Sequence, residues 1–250
     1  MLWVVLSPHL DDAVYSLGGW LAWRVQQGDR VEVWTVCAGE PPPGPLSLVA
    51  QVLHQMWGLQ REEVVATRRA EDHAACRLLG LTPRHLEVPD AIYRRDATGE
   101  PLYPDFDALT GSLHPTDEAL VETLANHFRR EWPAEARVVA PMAIGGHVDH
   151  RLTRAAAEAT GRVAAYYADF PYAAREGLPA LCDLPRQGWW VMHPLPPSEA
   201  WLQVWVQGVQ RYASQQSAFW ASDAALEEEV RAFAGQGGGS PWLPLEAPRG

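Results

Sequence analysis

Two short stretches carry the residue types that do chemistry. His9, Asp11 and Asp12 stand together in SPHLDDAVYSLGG, and His147, Asp149 and His150 in GGHVDHR. His9 and Asp12 are three positions apart, and His147 and His150 repeat that spacing. In a turn entering a helix, residues i and i+3 lie on one side and can aim at one ion. Histidine and carboxylate donors in this number match a catalytic zinc site, with a position left for water. Such an ion acidifies water toward neutrality so that it can attack a carbonyl. A carboxylate beside the ligands but off the metal then serves as general base, and spacing leaves Asp11 and Asp12 both open for that task. Each cluster taken alone has a plainer reading, with Asp11 or Asp12 as a helix N-cap and His9 as a turn histidine.

The elements around the clusters decide whether they can meet. LWVVLS precedes the first and ARVVAPMAI the second, both apolar runs that predict buried strands. Further strands are expected at RVEVWTVCAG, RHLEVPD, RVAAYYADFP and GWWVMHPL. Helical spacing runs over 12–27, 50–79, 115–132, about 150–160 and 198–220, and on to about Ala234. Residues 91–114 read as loop. Strands alternating with helices imply βαβ units: an α/β protein with a mostly parallel central sheet covered on both faces. Ligands of such sheets sit at the carboxyl ends of the strands. Both clusters follow strands, so both fall on the same edge. One domain over 1–235 is expected, followed by a Gly/Pro-rich tail, 236–250, loose or laid over the surface.

Composition removes several alternatives. Hydrophobic residues make up 47% of the chain, enough for a sizeable core. The net charge of −11 argues against nucleic-acid binding, which needs basic surface. There is no lysine, which disfavours phosphoryl chemistry on an acidic pair with Mg²⁺. No G-x-G-x-x-G, phosphate loop or G-x-S-x-G follows the first strand. Cys37, Cys76 and Cys182 are scattered, without disulfide or zinc-knuckle spacing, which fits a reducing cytoplasm. The first apolar run is too short for a signal sequence or a membrane span, so a cytoplasmic protein is expected.

With SPHLDDAVYSLGG and GGHVDHR both in view, the chain resembles the LmbE-like, or PIG-L-type, zinc-dependent de-N-acetylases. Between them, TRRAEDHAACRLLG resembles that family's R-x-x-E-x-x-x-A-x-x-L-G helix, and YYADFPYA and YASQQSAFW resemble its weaker later motifs. The resemblance implies a Rossmann-like three-layer sandwich. It implies His9, Asp12 and His150 as metal ligands, holding Zn²⁺ or another divalent ion such as Fe²⁺. It implies Asp11 as general base, His147 as stabiliser of the oxyanion, Asp149 as the group orienting a histidine, and Arg68 as a contact to substrate hydroxyls. Leu10 stands where the family usually has proline, and Ala13 where an acidic residue often follows. Neither is a ligand. Both separate the chain from the thiol-cofactor members and leave the substrate open.

Trp20, Trp23, Trp201 and Trp205 sit at helical spacing and are expected in the core. Tyr93 and Tyr103 are better candidates for stacking on a sugar. His54, His73, His85, His114, His127 and His193 have no partner spacing and read as structural. The expected activity is hydrolysis of a linear amide C–N bond, releasing an acetyl or similar group from an N-acylated amino sugar in a small glycoside or glycoconjugate. A homo-oligomer is compatible with this. The alternatives are an amidase on a thiol-cofactor conjugate and a non-catalytic metal- or sugar-binding Rossmann-like module.

Overall fold

The computed structural model describes residues 1–176, 188–191 and 193–244. Cys182, and Met192 of the expected sixth strand, lie outside them. LWVVLS forms β1 (Leu2–Ser7), buried along its whole length. Its side chains alternate between faces: Trp3 and Val5 enter one core, Val4 and Leu6 the other. A strand buried on both faces requires helices on both. The remaining strands are β2 (Arg30–Thr35), β3 (Thr82–His85), β4 (Arg137–Pro141), β5 (Val163–Tyr167), β6 (Trp189–Val191) and β7 (Trp242–Pro244). They lie in the order β3-β2-β1-β4-β5-β7-β6. The first five are parallel, and β7 runs antiparallel to both β5 and β6.

The helices are α1 (Asp12–Gln26), α2 (Leu48–Trp57), α3 (Val64–Leu79), α4 (Phe106–Leu109), α5 (Pro115–Glu131), α6 (Val148–Ala159), α7 (Tyr172–Arg175), α8 (Glu199–Val209), α9 (Ala213–Phe219) and α10 (Asp223–Gly235). Helices α1, α3, α8 and α10 pack on the face of Trp3 and Val5. Helices α5 and α6 cover the face of Val4 and Leu6, through Phe128, Leu152 and Ala156. Trp20 and Trp205 are fully buried, as expected of core residues, with Trp23 and Trp201 packed against them. Helices α1 and α8 approach closely because α1 carries Gly18. A Cβ there would stand 2.6 Å from Trp205 Cδ1, whose indole N–H bonds the carbonyls of Val14 and Tyr15.

Three expectations are corrected. The helical run over 50–79 is two helices, because Gly58 is left-handed and closes α2, with the Leu59 N–H returning to the His54 carbonyl. The run over 198–220 likewise breaks, between Val209 and Ala213. The tail enters the sheet as β7 rather than lying loose. Trp242 is buried in the core, and the preceding glycines are packing points: a Cβ at Gly238 would stand 2.6 Å from the Phe233 ring and one at Gly239 2.5 Å from Trp205. The composition of GQGGGSP signals flexibility; in the fold Gly238 and Gly239 make room for Phe233 and Trp205.

Candidate active site

The sheet reverses its winding between β1 and β4, and a crevice opens there beyond the strand ends. The first cluster leaves β1 through a braced turn. Ser7 Oγ donates to the His9 carbonyl at 2.5 Å and accepts from the Ala13 N–H at 3.0 Å. Asp12 accepts from the His9 backbone N–H at 2.7 Å. Asp11 occupies the N-cap position of α1, yet its side chain makes no capping bond. The plainer reading of Asp11 as a cap therefore fails. The second cluster leaves β4 through Gly145 and Gly146, both left-handed, and enters α6 with His147 as its N-cap.

Three donor atoms converge between the clusters. Asp12 Oδ2 lies 3.2 Å from His9 Nδ1 and 3.3 Å from His150 Nε2. Ligand atoms about 2.0–2.1 Å from a tetrahedral ion stand about 3.3–3.4 Å from one another. The far nitrogens are already engaged. His9 Nε2 meets Asp149 Oδ2 at 3.0 Å, and His150 Nδ1 meets Asp169 Oδ1 at 2.7 Å. A carboxylate only accepts, so each of these nitrogens carries the proton. That leaves lone pairs on His9 Nδ1 and His150 Nε2 facing the Asp12 carboxylate. His150 Nε2 is buried without a hydrogen-bond partner. Two lone pairs and a carboxylate oxygen at this spacing fit a divalent cation.

Two other donor groups share His9. Its ligand atoms lie within 4.8 Å of those of His147 and His150, and likewise of those of Asp90 and Asp149. In the second group the Asp149 oxygen is already bonded to His9 and to the Ala91 N–H at 2.9 Å. His147 Nδ1 accepts the Asp149 N–H at 3.2 Å, so the proton of the neutral ring sits on Nε2. In this tautomer His147 offers an N–H donor at Nε2. Burial, with the neighbouring His9, takes its imidazole down to about 3, so it stays neutral.

The carboxylates divide by environment. Burial pushes Asp11 up to about 6, opposed by Arg68, whose Nη2 lies 3.6 Å away. Asp12 is driven the other way: burial raises it, but His150 and His9 hold it well below the ordinary carboxylate range. Asp149 is likewise held low against its burial, by Arg94 first and then by His9. Arg94 Nη1 donates to Asp149 Oδ1 at 2.5 Å, and its Nε to Asp117 at 3.0 Å. For His9 and His150, burial is outweighed by the acids around them, and both imidazoles are raised. The carboxylates around the two imidazoles thus favour positive charge between them.

His9, Asp11, Asp12, Asp90 and His147 line a cavity of about 330 Å³, in the range of small-ligand sites. Its walls are apolar and include Leu53, Trp57, Ile92, Leu109, Tyr172 and Phe219. Arg68 lines it too, with its guanidinium 5.0 Å from the Trp57 ring centre. Glu71, three positions on, bonds Ser214 instead. Tyr93 and Tyr103 do not line the cavity; they are buried against His54 and Asp117. The aromatic wall of the cavity is supplied by Trp57, Tyr172 and Phe219 instead.

Of the seven residues given site roles from sequence, His9, Asp11, Asp12, Arg68 and His147 line this crevice, and Asp149 and His150 are buried behind them, bonded or close to His9 and Asp12. Asp169, Asp90 and Arg94 were missed. Asp169 and Asp90 could have been found, since each follows a strand-like run, in YYADFP and RHLEVPD, on the same sheet edge. Arg94 carries no local signal.

The fold and site define an α/β protein of the crevice-binding type, with a His/Asp donor cluster whose chemistry fits a divalent ion and a further histidine and carboxylate beside it. Residues 4–160 match the family described as PIG-L, GlcNAc-PI de-N-acetylase. The chain belongs to this family. It is 32% identical over 191 residues to a 2'-N-acetylparomamine deacetylase of Niallia circulans, covering 67% of this chain and 66% of that protein. It is 33% identical over 184 residues to a 2'-N-acetylparomamine deacetylase of Streptomyces fradiae, covering 68% and 57%. Both matches span less than two thirds of the relative's length. The structure resembles that of the zinc-inhibited form of teicoplanin deacetylase Orf2, with a TM-score of 0.78 and 31% identity over 98% of this chain and 99% of that one.

Proposed function

We propose that the protein is a metal-dependent N-deacetylase acting on an N-acetylated amino sugar. The observation that carries this is the placing of His9 Nδ1 and His150 Nε2 at 3.2 and 3.3 Å from one oxygen of Asp12, with Asp11, which makes no capping bond, on the wall of the cavity beside them. The names of the relatives, 2'-N-acetylparomamine deacetylase and teicoplanin deacetylase, support the same chemistry.

His9, Asp12 and His150 would hold the ion, Zn²⁺ by default and Fe²⁺ by supply. When bound, it supplies Lewis acidity, lowering the pKa of water and polarising the amide carbonyl. Asp149 and Asp169 fix which nitrogen of His9 and His150 faces it. Asp11 takes the proton of the attacking water on a carboxylate oxygen and returns it to the amine nitrogen as the C–N bond breaks. Its raised proton affinity suits that return. His147 directs its Nε2–H at the acetyl oxygen as negative charge develops. Arg68 holds sugar hydroxyls and screens Asp11. The apolar walls fit a glycoside whose aglycone is not itself highly charged. No helix among the described residues is long and apolar enough to cross a membrane. The buried, unpaired Cys37 and Cys76 support a cytoplasmic enzyme.

Acetate release from N-acetylglucosaminides, with metal analysis, tests the reading. Asp11→Asn keeps stoichiometric metal and loses on the order of a hundredfold or more in kcat. His147→Ala also keeps the metal and loses a comparable factor. Full activity of Asp11→Asn would sink the mechanism, and loss of metal from His147→Ala would shift the ligand set to the three histidines.

A further inference from the structure

One polar group on the cavity wall has no task in the mechanism above. Tyr15 lies one helical turn beyond Asp11 on α1, so the two side chains share a face. The residue lines the cavity together with Asp11, Arg68 and Gln215. It is 1% exposed, and its hydroxyl has no hydrogen-bond partner among the described residues. Buried hydroxyls in folded proteins are nearly always bonded, because an unmade bond costs free energy. Arg68 Nε is buried and unpartnered in the same way. Two donors on neighbouring walls of one cavity thus wait for partners.

The ring of Tyr15 is not free to seek a partner elsewhere. Tyr212 stands edge-on at 5.5 Å, Trp220 at 5.4 Å and Phe219 at 6.2 Å. Its own backbone carbonyl is held by the Trp205 indole. The phenol is therefore fixed before any ligand arrives, and a bond to it costs little further ordering. Burial, and after it the Asp11 charge, pushes its proton affinity well above that of a free phenol, so it remains an O–H group. Phenylalanine would fill the same aromatic cage without the orphan hydroxyl.

We infer that the Tyr15 hydroxyl is a specificity contact, bonding one hydroxyl of the amino-sugar ring on the Asp11 side of the cavity. A sugar hydroxyl both donates and accepts, so it can take the phenol O–H as an acceptor. A site built to bond a hydroxyl rejects the analogue that lacks it, because its own buried groups are then left unpaired. Tyr15 selects the sugar by this route, while His147 and Asp11 act on the amide. The inference rests on the deacetylase reading for the identity of the ligand.

The test is a cycle between Tyr15→Phe and a set of phenyl N-acetylglucosaminides lacking each free ring hydroxyl in turn. On the parent glycoside, Tyr15→Phe loses about tenfold in kcat/KM, mostly in KM. On one deoxy analogue the variant and the wild type are equal. Calorimetric binding of the amine products follows the same pattern, and the thermal midpoint of Tyr15→Phe is unchanged or higher, since an unbonded hydroxyl has been removed. An equal loss on every analogue, no loss at all, or a lowered midpoint with uniform loss would overturn the inference. If the wild type binds these sugars without releasing acetate, the deacetylase reading fails alone, and the calorimetric cycle still decides Tyr15. If it neither binds nor cleaves them, both fall.

Discussion

A single hydrogen bond decides which face His150 presents. Asp169 Oδ1 accepts the His150 Nδ1–H at 2.7 Å, and its other oxygen accepts the Ile144 N–H at 2.9 Å. The carboxylate is thus anchored to the turn after β4 while it orients a side chain of α6. Burial raises its carboxyl, with His150 opposing. Asp169→Asn retains an acceptor for Nδ1 but loses the charge that makes the imidazole basic. Outer partners of this kind typically contribute 10–100-fold to metal affinity. We therefore expect Asp169→Asn to weaken metal binding by about that factor, measured by competition against a chromogenic chelator. Unchanged affinity would show that His150 needs no such partner. At Asp149 the same logic is reinforced by Arg94 and, behind it, Asp117 and Tyr103, so His9 is held by a buried chain of charges rather than by one bond.

Helix α1 carries both ends of the site's logic. Its first turn presents Asp11 and Asp12, its second presents Tyr15, and Gly18 lets Trp205 of α8 lie against it. The close approach fixes where α1 sits on the sheet, and hence where its first turn points. Gly18→Ala would place a Cβ 2.6 Å from Trp205 Cδ1. The indole is bonded to the α1 backbone and fully buried, so it cannot swing away. Overpacking of this kind costs about 1–3 kcal/mol, against a gain of under about 1 kcal/mol from replacing a helical glycine. The variant should melt several degrees lower, by roughly 2–4 °C per kcal/mol for a chain of this size. A midpoint at or above wild type would mean that α8 retreats freely and does not set the position of α1.

Across the whole molecule the donor cluster joins parts of the chain that the sheet brings together. Its donor atoms, on His9, Asp12 and His150, come from the end of β1, the start of α1 and the start of α6, with Asp12 and His150 standing 138 positions apart (150 − 12). A cation bound there stabilises only the folded arrangement. At a free concentration about a hundred times the dissociation constant this amounts to about 2.7 kcal/mol. Removal of the metal with a chelator should therefore lower the thermal midpoint by several degrees, and re-addition of Zn²⁺ should restore it. His150→Ala should show no such response. A midpoint indifferent to both treatments would argue against a metal shared between the two halves. The sheet is completed by the same logic of return: β7, from the far end of the chain, inserts between β5 and β6 and buries Trp242.

The sequence by itself determined the α/β class, the parallel sheet and the sheet edge on which His9, Asp11, Asp12, His147, Asp149 and His150 would lie. Those properties follow from local periodicity and from spacing within a turn, which a short window of residues contains. The tertiary structure alone decided which nitrogen of each histidine is free, that Asp169 and Arg94 support the site, and that Trp57 rather than Tyr93 or Tyr103 walls the cavity. It also decided that α1 needs Gly18 and that a glycine-rich tail contains a strand. In each case the deciding contact is made by residues far apart in the chain, and their approach depends on strand order, helix packing and loop path rather than on neighbouring residues.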